Sequence, residues 1–86
     1  KQLLVRGCPV RLTATEFRIL KVLMSNPGRV YSAEELYERV WEKDAYAVEN
    51  TVMVHISRIR EKLEHNPKKP EYLKVVWGIG YVFETP

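Results

Sequence analysis

Residues 50–63 read Asn50-Thr51-Val52-Met53-Val54-His55-Ile56-Ser57-Arg58-Ile59-Arg60-Glu61-Lys62-Leu63, and this stretch decides the fold. Val52, Ile56, Ile59 and Leu63 recur at spacings of 4, 3 and 4 residues. At about 100° per residue they fall within roughly 60° of one another on an α-helix, a stripe that must pack on a core. Thr51, Val54, His55 and Arg58 lie broadly opposite, and Arg60 flanks the stripe. From Asn50 to Arg60 the outer side has two arginines and a histidine and no carboxylate. Arg, His, Asn, Ser and Thr around one exposed Val can read base edges and grip phosphates. An ordinary solvated helix mixes both charge signs. Here that mix begins only at Glu61.

Outward from this helix the chain resolves into short elements. Leu3-Leu4-Val5 and Val10-Arg11-Leu12 are β-prone runs around Arg6-Gly7-Cys8-Pro9, which predicts a hairpin. Thr13-x-x-Glu16 reads as a capping box opening a very apolar helix that ends before Pro27-Gly28. Val30-Tyr31 reads as a brief extended connector. Ser32-x-x-Glu35 reads as a second capping box, opening a helix whose apolar face is Leu36, Tyr37, Val40 and Trp41. Residues 42–48 form a loop. The long helix spans about 48–64, and Pro67 and Pro70 break the chain after it. Tyr72–Trp77 and Tyr81–Glu84 flank Gly78-Ile79-Gly80, a hairpin over about 72–84. Three helices followed by a β-hairpin describe an α+β winged helix-turn-helix: a three-helix core, a C-terminal β-hairpin wing and a short N-terminal β-hairpin.

Composition bounds the function classes. With 86 residues, 45% of them hydrophobic, the expectation is a single domain over 1–86 with a modest core. Formal net charge is +3. Residues 1–47 hold eight Lys/Arg against six Asp/Glu, and residues 48–86 hold six against five. The halves do not separate by charge, so a nucleic-acid surface must come from local placement. Cys8 is the only cysteine, which permits no internal disulfide. No apolar run is long enough for a membrane span.

Each candidate feature has a plainer reading. Gly78-Ile79-Gly80 joins two strands rather than opening a helix, so it reads as a turn needing φ > 0, not a phosphate loop. Trp77 at its edge is either a cap on the core or a groove contact. His55 and His65 lie ten residues apart with no Cys or Asp at metal spacing, so no metal site is expected. No catalytic triad or Cys/His pair stands out, and Glu34-Glu35 sit where a helix dipole favours acids. No enzyme and no cofactor are expected. Loop 42–48 is longer than a tight helix-turn-helix turn. It is either inert or a protein contact. A protein-interaction module on the same scaffold is the rival to nucleic-acid binding.

Leu12–Leu20, Arg29–Ser32, Val40-Trp41, Thr51–Leu63 and Gly78–Tyr81 resemble, in order, the OmpR/PhoB-type effector domain. These domains are the DNA-binding output halves of two-component response regulators. The resemblance implies a four-stranded opening sheet, of which this chain has material for the last, truncated hairpin. It implies a receiver domain with a phosphoacceptor Asp, which is absent from this chain. It also implies sequence-specific binding of double-stranded DNA in transcription regulation, with the long helix in the major groove. The wing would lie on the adjacent backbone or minor groove.

On this resemblance Thr51 and Arg60 match phosphate-contacting positions, while Val54, His55 and Arg58 face the major groove. Arg58 is the candidate for a guanine contact. Trp41 and Tyr81 support backbone contacts. Asn50, Ser57 and Ala33 stand where some members have arginine, and Trp77 occupies a wing position that is often arginine. Fewer ionic contacts and a shallower salt slope follow. Glu42, Lys43, Asp44, Ala45 and Tyr46 match the loop that contacts RNA polymerase. Members bind direct repeats head to tail, so a lone domain should bind weakly and dimerise weakly or not at all. The implied location is the bacterial cytoplasm.

Overall fold

The computed structural model describes residues 3–5 and 7–85, Leu3 by its backbone alone. A first hairpin pairs β1 (Leu3–Val5) with β2 (Cys8–Val10), and helices α1 (Ala14–Ser25), α2 (Ala33–Trp41) and α3 (Glu49–Leu63) follow. Strand β3 (Val30–Tyr31) lies between α1 and α2, and β4 (Leu73–Val76) and β5 (Gly80–Phe83) close the chain. The second sheet is antiparallel, in the order β3-β5-β4.

The N-terminal hairpin is tighter than the sequence suggested. Leu3 pairs with Val10 and Val5 with Cys8, so β2 begins at Cys8 rather than Val10. Arg6, expected in the turn, lies outside the described residues. Thr13 then caps α1 as a full capping box. Its hydroxyl accepts from the Glu16 N–H at 3.1 Å, and a Glu16 carboxylate oxygen accepts from the Thr13 N–H at 3.0 Å.

Two expectations need correction. Val30-Tyr31 is not a bare connector but a third strand, with Val30 paired to Val82 and Tyr31 to Tyr81. The partner lies some fifty residues away, beyond the reach of local pattern. Ser32 caps α2 through its hydroxyl, but Glu35 does not return the bond. Its carboxylate instead pairs with the Arg29 and Arg39 guanidiniums. Both guanidiniums also lie over the buried Tyr31 ring, at 4.3 and 5.5 Å from its centre.

The core forms where the helices meet the sheet. Ile19, Leu20 and Leu23 of α1 pack with Leu36 and Val40 of α2 and with Val52, Ile56, Ile59 and Leu63 of α3, the full predicted stripe. Tyr31, Leu73 and Phe83 close it from the strands. Two carboxylates are buried with it. Glu16 accepts the Lys62 ammonium at 2.6 Å, joining α1 to α3. Glu64 accepts the N–H groups of Glu71, Tyr72 and Leu73, at 2.8 Å for the first and last, and so fixes where β4 begins.

Candidate nucleic-acid interface

Helix α3 turns its four core residues inward and leaves Asn50, Thr51, Met53, Val54, Ser57 and Arg58 exposed. Met53 joins Val54 on the outside, so the outer face holds two apolar residues rather than one. Among the described residues Arg58 has no ion-pair partner, which leaves its guanidinium available at the surface. Val48, buried, precedes the helix and gives it no side-chain cap. Glu49 supplies the acid in its first turn.

His55 and Arg60 are half-buried and locally engaged. His55 Nδ1 lies 2.8 Å from the Thr51 carbonyl oxygen. Its ring meets Trp41 edge-on, with centroids 5.2 Å apart, and Trp41 stacks on Tyr37 at 4.7 Å. This aromatic series locks the end of α2 to the middle of α3. Arg60 donates from Nε to the Leu73 carbonyl at 2.9 Å, tying α3 to the wing. Arg60 also faces Tyr81. Burial pushes the Tyr81 phenol above its usual range, and the Arg60 charge only partly offsets this. The phenol therefore keeps its proton and can donate a hydrogen bond.

The wing is a hairpin closed by Trp77, Gly78 and Ile79, with the Ile79 N–H donating to the Val76 carbonyl at 2.9 Å. Gly78 takes the positive φ, at +78°, which Gly80 does not. Gly80 is needed for another reason: a Cβ there would lie 2.0 Å from the Tyr31 carbonyl oxygen. Trp77 is 88% exposed, which settles its orientation against a core cap. Ile79 is exposed beside it. Lys74, the wing's cation, is paired with Glu84 at 3.1 Å.

Two grooves flank α3. Ser57, Arg60, Glu61, Asn66, Pro67 and Lys68 line one of them. Lys68 was legible only as part of a helix-breaking run, yet the fold sets it beside Arg60. The wing, Glu34 and Glu49 line the other. The Glu34 carboxyl is held below its usual range, first by its own backbone N–H and then by Glu49. That groove is acidic and apolar, whereas the first sets two cations, Arg60 and Lys68, beside the Glu61 carboxylate. Loop 42–48 starts with Glu42 in the left-handed conformation at φ 56°. Ala45 and Val48 anchor it to the core, and Tyr46 projects, 91% exposed. Glu42, Lys43 and Asp44 are exposed with it.

Asn50, Thr51, Val54, Ser57 and Arg58 thus share one outer face, with His55 on its flank. Arg60, Tyr81 and Trp77 belong to the wing side, and Trp41 lies behind His55. Among the described residues no three His, Cys, Asp or Glu side chains are grouped to hold a metal. No described helix is long and apolar enough to cross a membrane.

Comparison with known proteins converges on one group. A family model described as "Transcriptional regulatory protein, C terminal" matches residues 7–83. The regulatory protein VanRc of Enterococcus gallinarum is 47% identical over 83 residues, which is 96% of this chain and 36% of that protein. The chain spans about a third of the length of the curated relatives it matches. The Thermotoga maritima response regulator DrrB, an OmpR/PhoB homologue, superposes with a TM-score of 0.83 at 38% identity, over 93% of this chain and 36% of that one. The Klebsiella pneumoniae RstA DNA-binding domain, solved in complex with the RstA box, superposes with a TM-score of 0.88 at 29% identity. That match covers 96% of this chain and 82% of that one.

Proposed function

This chain belongs to the OmpR/PhoB-type transcriptional regulatory C-terminal family, and from that premise we propose that its α3 face reads double-stranded DNA in a sequence-specific manner. One observation carries the reading. The exposed face from Asn50 to Arg58 presents an unpaired arginine among amides and hydroxyls, and no carboxylate interrupts it. Arg58 has the reach and the bidentate geometry for guanine O6 and N7. Asn50, Thr51 and Ser57 suit phosphate and sugar contacts, as do the outer nitrogens of Arg60. Lys68 adds a second cation to the groove that Arg60 and Glu61 line.

The wing contributes differently. Its tip is apolar and its one cation is already paired, so Trp77 and Ile79 contact sugars or groove walls rather than forming phosphate ion pairs. Tyr81 and Trp41 hold the wing and α2 against the backbone-contacting side. The protruding loop, with Tyr46 at its crest and Glu42, Lys43, Asp44 and Ala45 around it, suits a protein partner, for which RNA polymerase is the reading. In the longer protein a covalently linked receiver domain supplies the pairing that the lone domain lacks, on direct-repeat sites in the bacterial cytoplasm. The role is binding, with no chemical step and no cofactor.

Binding-site selection from a random duplex pool tests this, with the native chain and with Arg58→Ala. The native chain should enrich a recurrent half-site. The variant should lose about 1–3 kcal/mol of discrimination at one position and keep the rest. An unchanged site preference after Arg58→Ala would defeat the assignment of that contact.

A further inference from the structure

Both backbone groups of Leu73 are held by side chains of α3. The Leu73 N–H donates to Glu64 Oε2 at 2.8 Å, and the Leu73 carbonyl accepts from Arg60 Nε at 2.9 Å. Arg60 and Glu64 stand four residues apart, one helical turn, so their side chains leave the end of α3 side by side. The Leu73 side chain is itself buried in the core. Glu64 reaches further than Leu73. Its carboxylate also accepts the Glu71 N–H at 2.8 Å and the Tyr72 N–H at 3.1 Å, so one buried acid holds three consecutive donors. Such charge-assisted bonds are stronger than neutral ones.

These contacts close an edge that the sheet leaves open. β4 is an outer strand in the order β3-β5-β4. The Tyr72 carbonyl accepts from the Glu84 N–H at 2.8 Å, which pairs the base of the hairpin. In an antiparallel ladder the next residue then turns its backbone groups away from the partner strand. That residue is Leu73, opposite Phe83, so its N–H and carbonyl face outward, where Glu64 and Arg60 meet them. On the far side β5 is held by β3, through Val30–Val82 and Tyr31–Tyr81. The wing sheet is thus gripped at both edges. The six residues between Glu64 and Glu71 include Pro67 and Pro70, and the Lys69 N–H closes a turn on the Asn66 carbonyl, so the connector is short and stiff.

We propose that Glu64 is a positioning residue for duplex recognition: through Leu73 it fixes the angle of the wing to α3, so that wing tip and recognition face meet DNA as one rigid surface. This rests on the DNA-binding reading of α3 and the wing. Glu64 is buried and acts only through the backbone it holds. Arg60 shares the pin, but its outer nitrogens are assigned to the duplex. Trp77 lies four residues beyond Leu73, about 13 Å along a strand rising roughly 3.3 Å per residue, so a tilt of about 10° at Leu73 displaces the tip by about 2 Å. That slip breaks contacts of the tip and leaves α3, seated by its core stripe, in place.

Hydrogen exchange on the free native chain tests the pin. The Leu73 amide, at the open edge of the sheet, should exchange as slowly as the ladder amides of β4 and β5, and fast exchange there overturns the proposal. A thermodynamic cycle on the selected duplex tests the consequence. Trp77→Ala should weaken binding by the native chain about fivefold, and binding by the Glu64→Gln chain less than about twofold. Arg58→Ala should cost both chains the same base discrimination. Glu64→Gln keeps the side-chain shape and one acceptor oxygen, and circular dichroism gives its folded fraction. A chain that is merely less folded binds every duplex more weakly, yet its folded molecules lose as much to Trp77→Ala as native ones do. An undiminished cost of Trp77→Ala therefore overturns the proposal and leaves Glu64 a stabilising residue alone. A native chain indifferent to Trp77→Ala overturns it too, by removing the wing contact. Failure of the native chain to bind any duplex, with the Leu73 amide still protected, defeats the DNA-binding reading and the proposed role with it, while the pin itself stands.

Discussion

Replacing Gly80 by alanine should destabilise this domain far more than replacing Gly78, although the two glycines flank the same isoleucine. An ideal Cβ on Gly80 would stand 2.0 Å from the Tyr31 carbonyl oxygen, 2.6 Å from its carbon and 2.8 Å from the Ser32 Cα. All three are backbone atoms, so no side-chain rotation relieves the clash. β3 must move off β5, and it carries the buried Tyr31 and the Ser32 cap of α2 with it. Overpacking of this kind costs about 1–3 kcal/mol or more. Loosening the β3–β5 ladder adds roughly 1 kcal/mol per hydrogen bond lost. The sum is about 3–5 kcal/mol, a large share of the roughly 4–13 kcal/mol expected for a chain of this size. Gly78 sits at φ +78° with nothing within 4 Å of where a methyl group would stand, so alanine there meets only the left-handed penalty. That penalty is about 1–2 kcal/mol. Urea titrations followed by circular dichroism should show both midpoints lowered at an unchanged slope, with the Gly80→Ala midpoint much the lower. Equal midpoints, or a larger loss for Gly78→Ala, would refute the claim that backbone approach of β3 fixes residue 80.

Further expectations follow from the same contacts. Burial pushes the Glu16 carboxyl up, but the Lys62 ammonium and the Thr13 N–H outweigh it and hold it below its ordinary value of 4.5. Its contribution is therefore complete above about pH 4.5 and is lost as pH falls through the lowered folded value. Lys62→Met should cost about 2 kcal/mol at neutral pH, less than a fully buried pair because the ammonium is part-exposed, and should move acid unfolding to higher pH. An acid transition unmoved by the change would count against the pair. Arg60→Ala should weaken binding to all duplexes about equally and flatten the salt slope by about one. It should also cost about 1–2 kcal/mol of stability through the lost bond to Leu73, so a variant of native stability would contradict that anchor. Tyr46→Ala should leave DNA affinity and folding unchanged while lowering transcription in a reconstituted assay. A parallel loss of DNA affinity would move Tyr46 into the DNA contact instead.

What the sequence disclosed depended on how far its signals reach. The α3 stripe and the Thr13–Glu16 box are local, spanning one turn at a time, and both formed as read. The box at Ser32 formed only in half, because Arg29 and Arg39 compete for the Glu35 carboxylate, and no local rule weighs that competition. Val30-Tyr31 read as extended, but its pairing did not show, because two residues carry no periodicity and the strand they pair with lies at the far end of the chain. Glu64 stands at the end of the predicted helix, and nothing local shows that its carboxylate serves backbone N–H groups seven to nine residues on. The outward face of α3 was legible. The engagement of His55 with Trp41 and of Arg60 with Leu73 was not, since each depends on how a second element packs. Gly80 was read as a torsional requirement, and it is a steric one.

Sequence-specific readout by α3 is tested most squarely by titrating the selected duplex against a scrambled duplex of equal length and composition, across a series of salt concentrations. Such readout predicts an affinity gap of about a hundredfold or more that persists as salt rises, while binding to the scrambled duplex fades with the counterion dependence of a few phosphate contacts. Equal affinity for both duplexes, lost in parallel as salt increases, would contradict it.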